Sequence, residues 1–363
     1  MAFLNAKVSS TISKKASNYI EIQLAATLIH WYSREKRILP WRESRNPYSV
    51  WLSEIILQQT RVAQGTPYFN NFIKKFPTIR DLANASEQEV LKLWEGLGYY
   101  SRARNLLAAA RQVSDEYGGN FPSTYKELLK LKGIGPYTAA AIASICFDER
   151  VPVIDGNVFR LIARIFGITA DISQAPSRKE FEVAAQKILP IEAPGDFNQA
   201  MMEFGALVCK PFNPDCQRCE LSSFCYAFKE NAQHLLPVKR KKIKAQERVL
   251  NYHVFTHKEL VCMNKRAKGD IWQGLWDFFL DERSDSNYFA HEYKGEVKAV
   301  YGPISHKLTH QNLNVWFHQI EIANLTKFQE LANKLELTIF SIHELVTLPK
   351  SKLIVNYLTR VKF

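Results

Sequence analysis

Four cysteines fall within CKPFNPDCQRCELSSFC, spaced C-x6-C-x2-C-x5-C. Soft thiolates this close can wrap a cluster of iron and sulfide, or a single zinc ion. Structural zinc pairs its ligands as two short C-x2–4-C units, and only one such pair is present, so the spacing favours a [4Fe–4S] cluster on Cys209, Cys216, Cys219 and Cys225. Its job would be structural, stapling a loop whose Lys210 and Arg218 suit a phosphate backbone. Cys146, in AAAIASICF, and Cys262, in ELVCM, lie in apolar runs and read as buried thiols.

Two carboxylates and a phenol offer acid–base chemistry. Glu54 sits in VWLSEIILQQ, where the helical neighbours Val50, Trp51 and Leu57 are apolar. A carboxyl in such surroundings resists ionising, which raises its pKa toward general-acid use; a surface glutamate is the alternative. Asp155 follows the apolar VPVI and opens NVFRLIARIFGI, as an N-cap would. Capping would lower its pKa and keep it charged, as an electrostatic partner of a developing cation must be. Tyr137 lies in the stretch KGIGPYTAAAI, where two helical patterns flank Gly133-Ile134-Gly135. Pro136 suits the first position of the second helix, and the free amides at such a helix start form a phosphate site without base readout. A plain helix connection and a packed tyrosine are the bland readings of the same residues.

The elements that must position these groups are helical through most of the chain. Ile20, Leu24, Leu28 and Trp31 share one face, and EVLKLWEGL, SRARNLLAAARQVSDEY and NVFRLIARIFGI continue the pattern. This predicts a flexible extension over 1–18, a helical domain over 19–228 with its hairpin near 124–146 and cysteine loop at 209–225, and a basic linker over 229–247. The linker would contain Pro237, Lys239, Arg240, Lys241, Lys242 and Lys244. Period-2 patterns then take over, at Leu250, Tyr252, Val254 and again at Leu313, Val315, Phe317, with a helix-like KFQELANKLEL near the end. A small α+β domain over 248–363 is expected. At 363 residues two domains are natural, and 48 Lys and Arg against 36 Asp and Glu, net +12, point to a polyanionic partner. No apolar run approaches a membrane span and no charged start feeds a signal-peptide core, so a cytoplasmic monomer is expected, nucleoid-associated if bacterial.

The order LPWR, WLSEIILQQTRV, WEGLGYYSRARN, KGIGPYTAAAI, VIDGNVFRL, MEFGALVC and the four-cysteine loop, over about residues 24–228, resembles the helix-hairpin-helix DNA glycosylases, specifically the MutY-type adenine DNA glycosylases. The resemblance implies a six-helix barrel and an iron–sulfur domain with the active site between them. It implies that the enzyme flips adenine out of duplex DNA opposite 8-oxoguanine or guanine, with Glu54 protonating the base and Asp155 supporting the oxocarbenium ion. Related strand-cutting enzymes of the endonuclease III type carry a lysine where Tyr137 stands, so a glycosylase without efficient lyase activity is expected. Motif match further assigns Gln59 and Tyr99 to the wedge that fills the vacated stack, Gly133 and Gly135 to backbone binding, and Arg37, Trp41, Arg42 and Glu203 to the adenine pocket.

The last third, with KRAKGDIWQGLWDFF and GPISHKLTHQNLNVWF, resembles the Nudix-like C-terminal domain of the same enzymes. The stretch DERSDSNYFAHEYKGEVKAVYG lacks the carboxylate-rich helix a Nudix hydrolase needs for its divalent metal, so this domain is expected to read rather than hydrolyse. The resemblance puts lesion recognition at Leu308, Thr309 and His310, where the family carries Phe-Ser-His; the hydroxyl is kept and the aromatic ring is not. A strand-cutting glycosylase for oxidised pyrimidines and a non-catalytic, redox-sensing DNA-binding protein are the rival functions.

Overall fold

The computed structural model describes residues 2–240, 245–281 and 286–361, the side chains of 2–18, 286 and 287 excepted. In chain order its helices are α1 (Ala2–Glu35), α2 (Pro47–Ile56), α3 (Val62–Lys75), α4 (Ile79–Ala83), α5 (Glu87–Leu93), α6 (Ser101–Glu116), α7 (Tyr125–Leu128), α8 (Pro136–Phe147), α9 (Gly156–Phe166), α10 (Arg178–Ile188), α11 (Pro194–Leu207) and α12 (Tyr226–Lys229). There follow β1 (Gln246–His257), β2 (Leu260–Lys265), β3 (Trp276–Asp277), β4 (Phe279–Leu280), α13 (Ser286–Glu292), β5 (Gly295–Lys307), β6 (Gln311–Ile322), α14 (Leu325–Lys334), β7 (Thr338–Ser341) and α15 (Lys352–Val361). The chain divides into two compact units, Met1–Ala83 with Ala108–Lys241, and Asn84–Leu107 with Lys242–Phe363.

These bounds differ from the expected ones at three places. Residues 2–18, read as an extension, continue α1 as helix; they contain neither proline nor glycine to stop it. The segment 84–107 is helical as expected but belongs with the C-terminal unit. The first part of the expected linker belongs to the helical unit: Leu236 is buried in its core, and Ile172 N donates to Val238 O at 3.0 Å. Of the basic run, Lys241, Lys242 and Lys244 lie outside the described residues.

In the helical unit the sequence marks its own helix starts. The Asn46 side chain accepts from Tyr48 N and Ser49 N to open α2, with Pro47 behind it, and Thr124 caps α7. Helix α9 buries Val158, Leu161, Ile162 and Ile165 and stops at Gly167, whose φ of 69° suits a residue without Cβ. Each such buried side chain contributes roughly 1.5–3 kcal/mol relative to exposure. Helix α11 runs hard against its neighbours. A Cβ on Gly195 would lie 2.4 Å from Ser144 O at the end of α8, and one on Gly205 would lie 2.8 Å from the Asn157 Cβ on α9.

The sheet of the second unit has the order β3-β2-β1-β6-β5, with β4 paired to β1 and β7 to β2. Strands β1 and β6 run parallel from Gln246↔Gln311 to Thr256↔Glu321, and β5 returns antiparallel on β6. Leu250, Tyr252, Val254, Leu313, Val315 and Phe317, read as one face, are all buried together with Leu353, Ile354 and Tyr357 of α15. The opposite face is covered too: Phe255 and Ile320 pack with Phe289, Phe328 and Leu331 of α13 and α14. That second cover explains why β1 is buried continuously from Leu250 to His257 rather than in alternation.

Candidate active site

Helices α2, α8, α9 and α11 converge on a recess of about 530 Å³ in the helical unit, lined by Arg37, Trp41, Arg42, Glu54, Tyr137, Asp155 and Glu203, with Met202 and Asn157 beside them. Seven residues assigned from sequence therefore meet in one place. Glu54 lies on the last turn of α2, whose other faces bury Val50, Trp51, Leu52, Ile55 and Ile56. The Tyr137 hydroxyl, on the first turn of α8, donates to Glu54 Oε2 and lies 3.5 Å from Met202 Sδ. Burial drives the Glu54 carboxyl up to about 7, against the phenol's hydrogen bond, which lowers it; the charge of Asp155 raises it further and Arg42 opposes. The phenol itself is raised well above its usual range, chiefly by burial and by the Glu54 charge, so it stays a donor.

Asp155 is the N-cap of α9. Its Oδ1 accepts from Asn157 N at 2.9 Å and Val158 N at 2.7 Å, and its Oδ2 from Asn157 Nδ2 at 2.9 Å. The cap is as read, but its effect on the proton is not. Burial outweighs the backbone and Asn157 hydrogen bonds, and the carboxyl is raised rather than lowered.

Glu203, 1% exposed, has the opposite environment. Arg37 reaches it with Nε at 2.7 Å, a second guanidinium nitrogen at 2.7 Å and its backbone N at 3.0 Å; Arg42 adds a bond of 2.9 Å. Burial raises this carboxyl, yet the arginine hydrogen bonds and charge together bring it down to about 2. Trp41 is buried and packs edge-on to Phe69 at 5.3 Å, so it forms wall rather than a free stacking face.

The remaining assignments scatter. Gln59 is exposed at a left-handed φ of 56° after α2 and does not line the recess. In the hairpin Gly133 has φ 75°, and Gly135 caps α8 with no side-chain bond and open space where a Cβ would be, so a phosphate can approach the backbone there. Tyr99, at φ 48° and 45% exposed, belongs to the other unit, where its hydroxyl bonds Thr309 Oγ1. Leu308, Thr309 and His310 form the turn between β5 and β6, with Leu308 N bonded to Gln311 O at 2.8 Å.

Cys209, Cys216, Cys219 and Cys225 line one small recess with Leu161, Arg164 and Leu221. Arg164 donates to Cys209 Sγ at 3.3 Å and to Lys210 O at 2.7 Å. Among the described residues, no three His, Cys, Asp or Glu side chains are set to hold one metal ion. Cys262 is fully buried as expected, while Cys146, in the last turn of α8, is half-buried. In the second unit, Glu292 of α13 is tied to Lys334 at 2.5 Å.

Sequence reading missed Asn157 and Arg160. Arg160 donates to Asn157 Oδ1 at 2.8 Å, Gly205 O at 2.6 Å and Cys209 O at 2.7 Å, joining the Asp155 cap to α11 and the cysteine loop. The signal was available: Arg160 and Arg164 interrupt the apolar NVFRLIARIF, and an arginine on a buried helix face needs acceptors.

Comparison with known proteins matches two families, the first of which spans the 84–107 segment as well as the helical unit. The HhH-GPD superfamily of base excision DNA repair proteins matches residues 52–190, and the NUDIX domain matches residues 251–360. The adenine DNA glycosylase of Buchnera aphidicola subsp. Schizaphis graminum is 34% identical over 307 residues, covering 83% of this chain and 88% of that protein. That of Homo sapiens is 47% identical over 210 residues, covering 55% of this chain and 38% of that protein. The chain thus spans most of the bacterial relative and well under half of the human one. Among solved structures, a thermostable thymine-DNA glycosylase superposes with a TM-score of 0.55 at 29% identity, over 59% of this chain and 99% of that one. Endonuclease III in a trapped covalent DNA intermediate gives 0.50 at 25% identity, over 58% and 98%.

Proposed function

This chain belongs to the adenine DNA glycosylases, and on that premise we propose that it binds duplex DNA as a monomer and excises adenine paired with 8-oxoguanine, or with guanine, by base flipping and acid-assisted hydrolysis of the N-glycosidic bond. The observation that carries the reading is the Glu54–Tyr137 pair beside Asp155 in one recess. A carboxyl held at about 7 keeps its proton near neutral pH, and a flipped adenine accepts that proton on a ring nitrogen and becomes a better leaving group. Asp155 faces the sugar as it takes on oxocarbenium charge; its own charge helps hold the proton on Glu54, while the cap hydrogen bonds and Arg160 favour the ionised form of Asp155 against burial. Glu203, Arg37 and Arg42, with Trp41 as wall, frame the base. Gln59 and Tyr99 fill the stack, and the turn Leu308-Thr309-His310 reads the opposite base.

Tyr137 has no amine to form an imine with the sugar, so the product keeps its strands intact until alkali is added. Four thiols around one recess, one of them accepting an arginine hydrogen bond, fit a [4Fe–4S] cluster on Cys209, Cys216, Cys219 and Cys225. When bound, the cluster supplies cross-linking of the loop that carries Lys210 and Arg218. The Gly135 start of α8 is the phosphate site of the hairpin. The deciding experiment is Glu54→Gln on a labelled duplex with adenine opposite 8-oxoguanine. Adenine release should disappear with duplex binding retained; normal excision by the variant would remove Glu54 as the acid.

A further inference from the structure

We propose that Tyr100 and Glu95 are positioning residues for Tyr99 and act through Lys350, so that the unit that reads the opposite base also sets the wedge. The inference rests on the reading of Tyr99 as wedge given above. Between α5 and α6 the backbone takes three left-handed residues, Gly96 at φ 96°, Gly98 at φ 74° and Tyr99 at φ 48°. Glycine adopts this conformation freely; a tyrosine keeps it only where its surroundings impose it.

Those surroundings all lie in the sheet unit. The Tyr100 hydroxyl accepts the Gly96 N–H at 3.2 Å and donates to the carbonyl of Lys350 at 3.1 Å. Glu95 Oε2 accepts the backbone N–H of the same Lys350 at 2.9 Å. One residue therefore grips the loop on both sides of its left-handed turns. Lys350 is 3% exposed and is held in turn, its ammonium donating to Leu345 O and, at 2.7 Å, to Leu348 O. Lys92 bridges Glu95 at 3.0 Å and Leu348 O at 3.3 Å, and Arg104 reaches Gln273 O at 2.8 Å. Within the loop Gly98 O accepts from Trp94 Nε1 at 3.0 Å and Arg102 at 3.2 Å. At the tip the exposed Tyr99 hydroxyl meets Thr309 of the β5–β6 turn. With base and tip both fastened, the tyrosine ring is presented in one conformation without reliance on DNA to order it.

A clamp that served only the fold would act independently of Tyr99. The test is a double-mutant cycle on the full-length protein, with Tyr99→Ala, Tyr100→Phe and the double variant. Single-turnover excision is measured on duplexes with adenine opposite 8-oxoguanine and opposite guanine. Tyr100→Phe should lower the ratio of the two rates by roughly fivefold, and should add no further loss in the Tyr99→Ala background. An unchanged ratio in a folded Tyr100→Phe protein overturns the inference, as does the same loss on top of Tyr99→Ala, or no effect of Tyr99→Ala on either duplex. Should Tyr100→Phe fail to fold by circular dichroism, Glu95→Ala goes through the same cycle with the same expected result. Thr309→Val and His310→Ala, measured alongside, address the reading of the turn alone. If both leave the ratio unmoved that reading falls, while the cycle still decides whether Tyr100 acts through Tyr99.

Discussion

Glu54 and Glu203 line the same recess, and their carboxyls are displaced in opposite directions, to about 7 and about 2. Burial pushes each carboxyl up. Glu203 is met by two guanidiniums in four hydrogen bonds and falls to about 2; Glu54 is met by a neutral phenol and rests at about 7. Burial raises both, and it is the charge of the partners that lets Glu203 stay a fixed anion while Glu54 holds a proton to about 7.

The comparison breaks most decisively at Glu54. Glu54→Gln keeps shape and polarity and loses only the transferable proton, so single-turnover adenine release should fall by about a thousandfold or more. The reciprocal change, Glu203→Gln, should act first on the fold and reach excision only through the base pocket that Arg37 and Arg42 frame. It leaves the Arg37 and Arg42 guanidiniums without their anion, and chemical denaturation should report a loss on the order of 3 kcal/mol. If Glu203→Gln abolished excision at full stability, the division of labour between the two carboxyls would be wrong. A smaller effect separates them by pH. With Glu54 as the proposed acid, the excision rate should fall about tenfold per unit as pH rises above about 7, a limb to which Glu203, long ionised, contributes nothing. The finest test is Tyr137→Phe. Its hydroxyl lowers the Glu54 pKa, so its removal should move the alkaline limb of the rate profile to higher pH; movement to lower pH would reverse the assigned sign.

The sequence made the chemistry of this recess more legible than its boundaries. The apolar neighbours of Glu54 announced burial, and VPVIDGNV announced the Asp155 cap, because both depend on residues within one helical turn. What the cap does to the Asp155 proton was misjudged, since capping is a local quantity and burial depends on α2, α8 and α11 as well. The same limit hid the placement of 84–107: helical periodicity shows that EVLKLWEGL has an apolar face, not which unit covers it. Leu236 and Val238 were overlooked for a related reason, standing beside Pro237 and a run of lysines that reads as solvated. In the sheet unit, alternation identified the face packed on α15, while the helices over the other face left no period-2 mark on β1.

Helix α11 carries Met202 and Glu203 into the recess and is flanked by Gly195 and Gly205, where it grazes Ser144 and Asn157. The width of the recess is in this sense gauged by two missing methyl groups. A side chain as small as alanine at residue 205 would press on Asn157, the residue that holds Asp155 in place. Without a side chain to offer, these two glycines set a tolerance on the placement of Asp155 that no acid or base in the recess can correct.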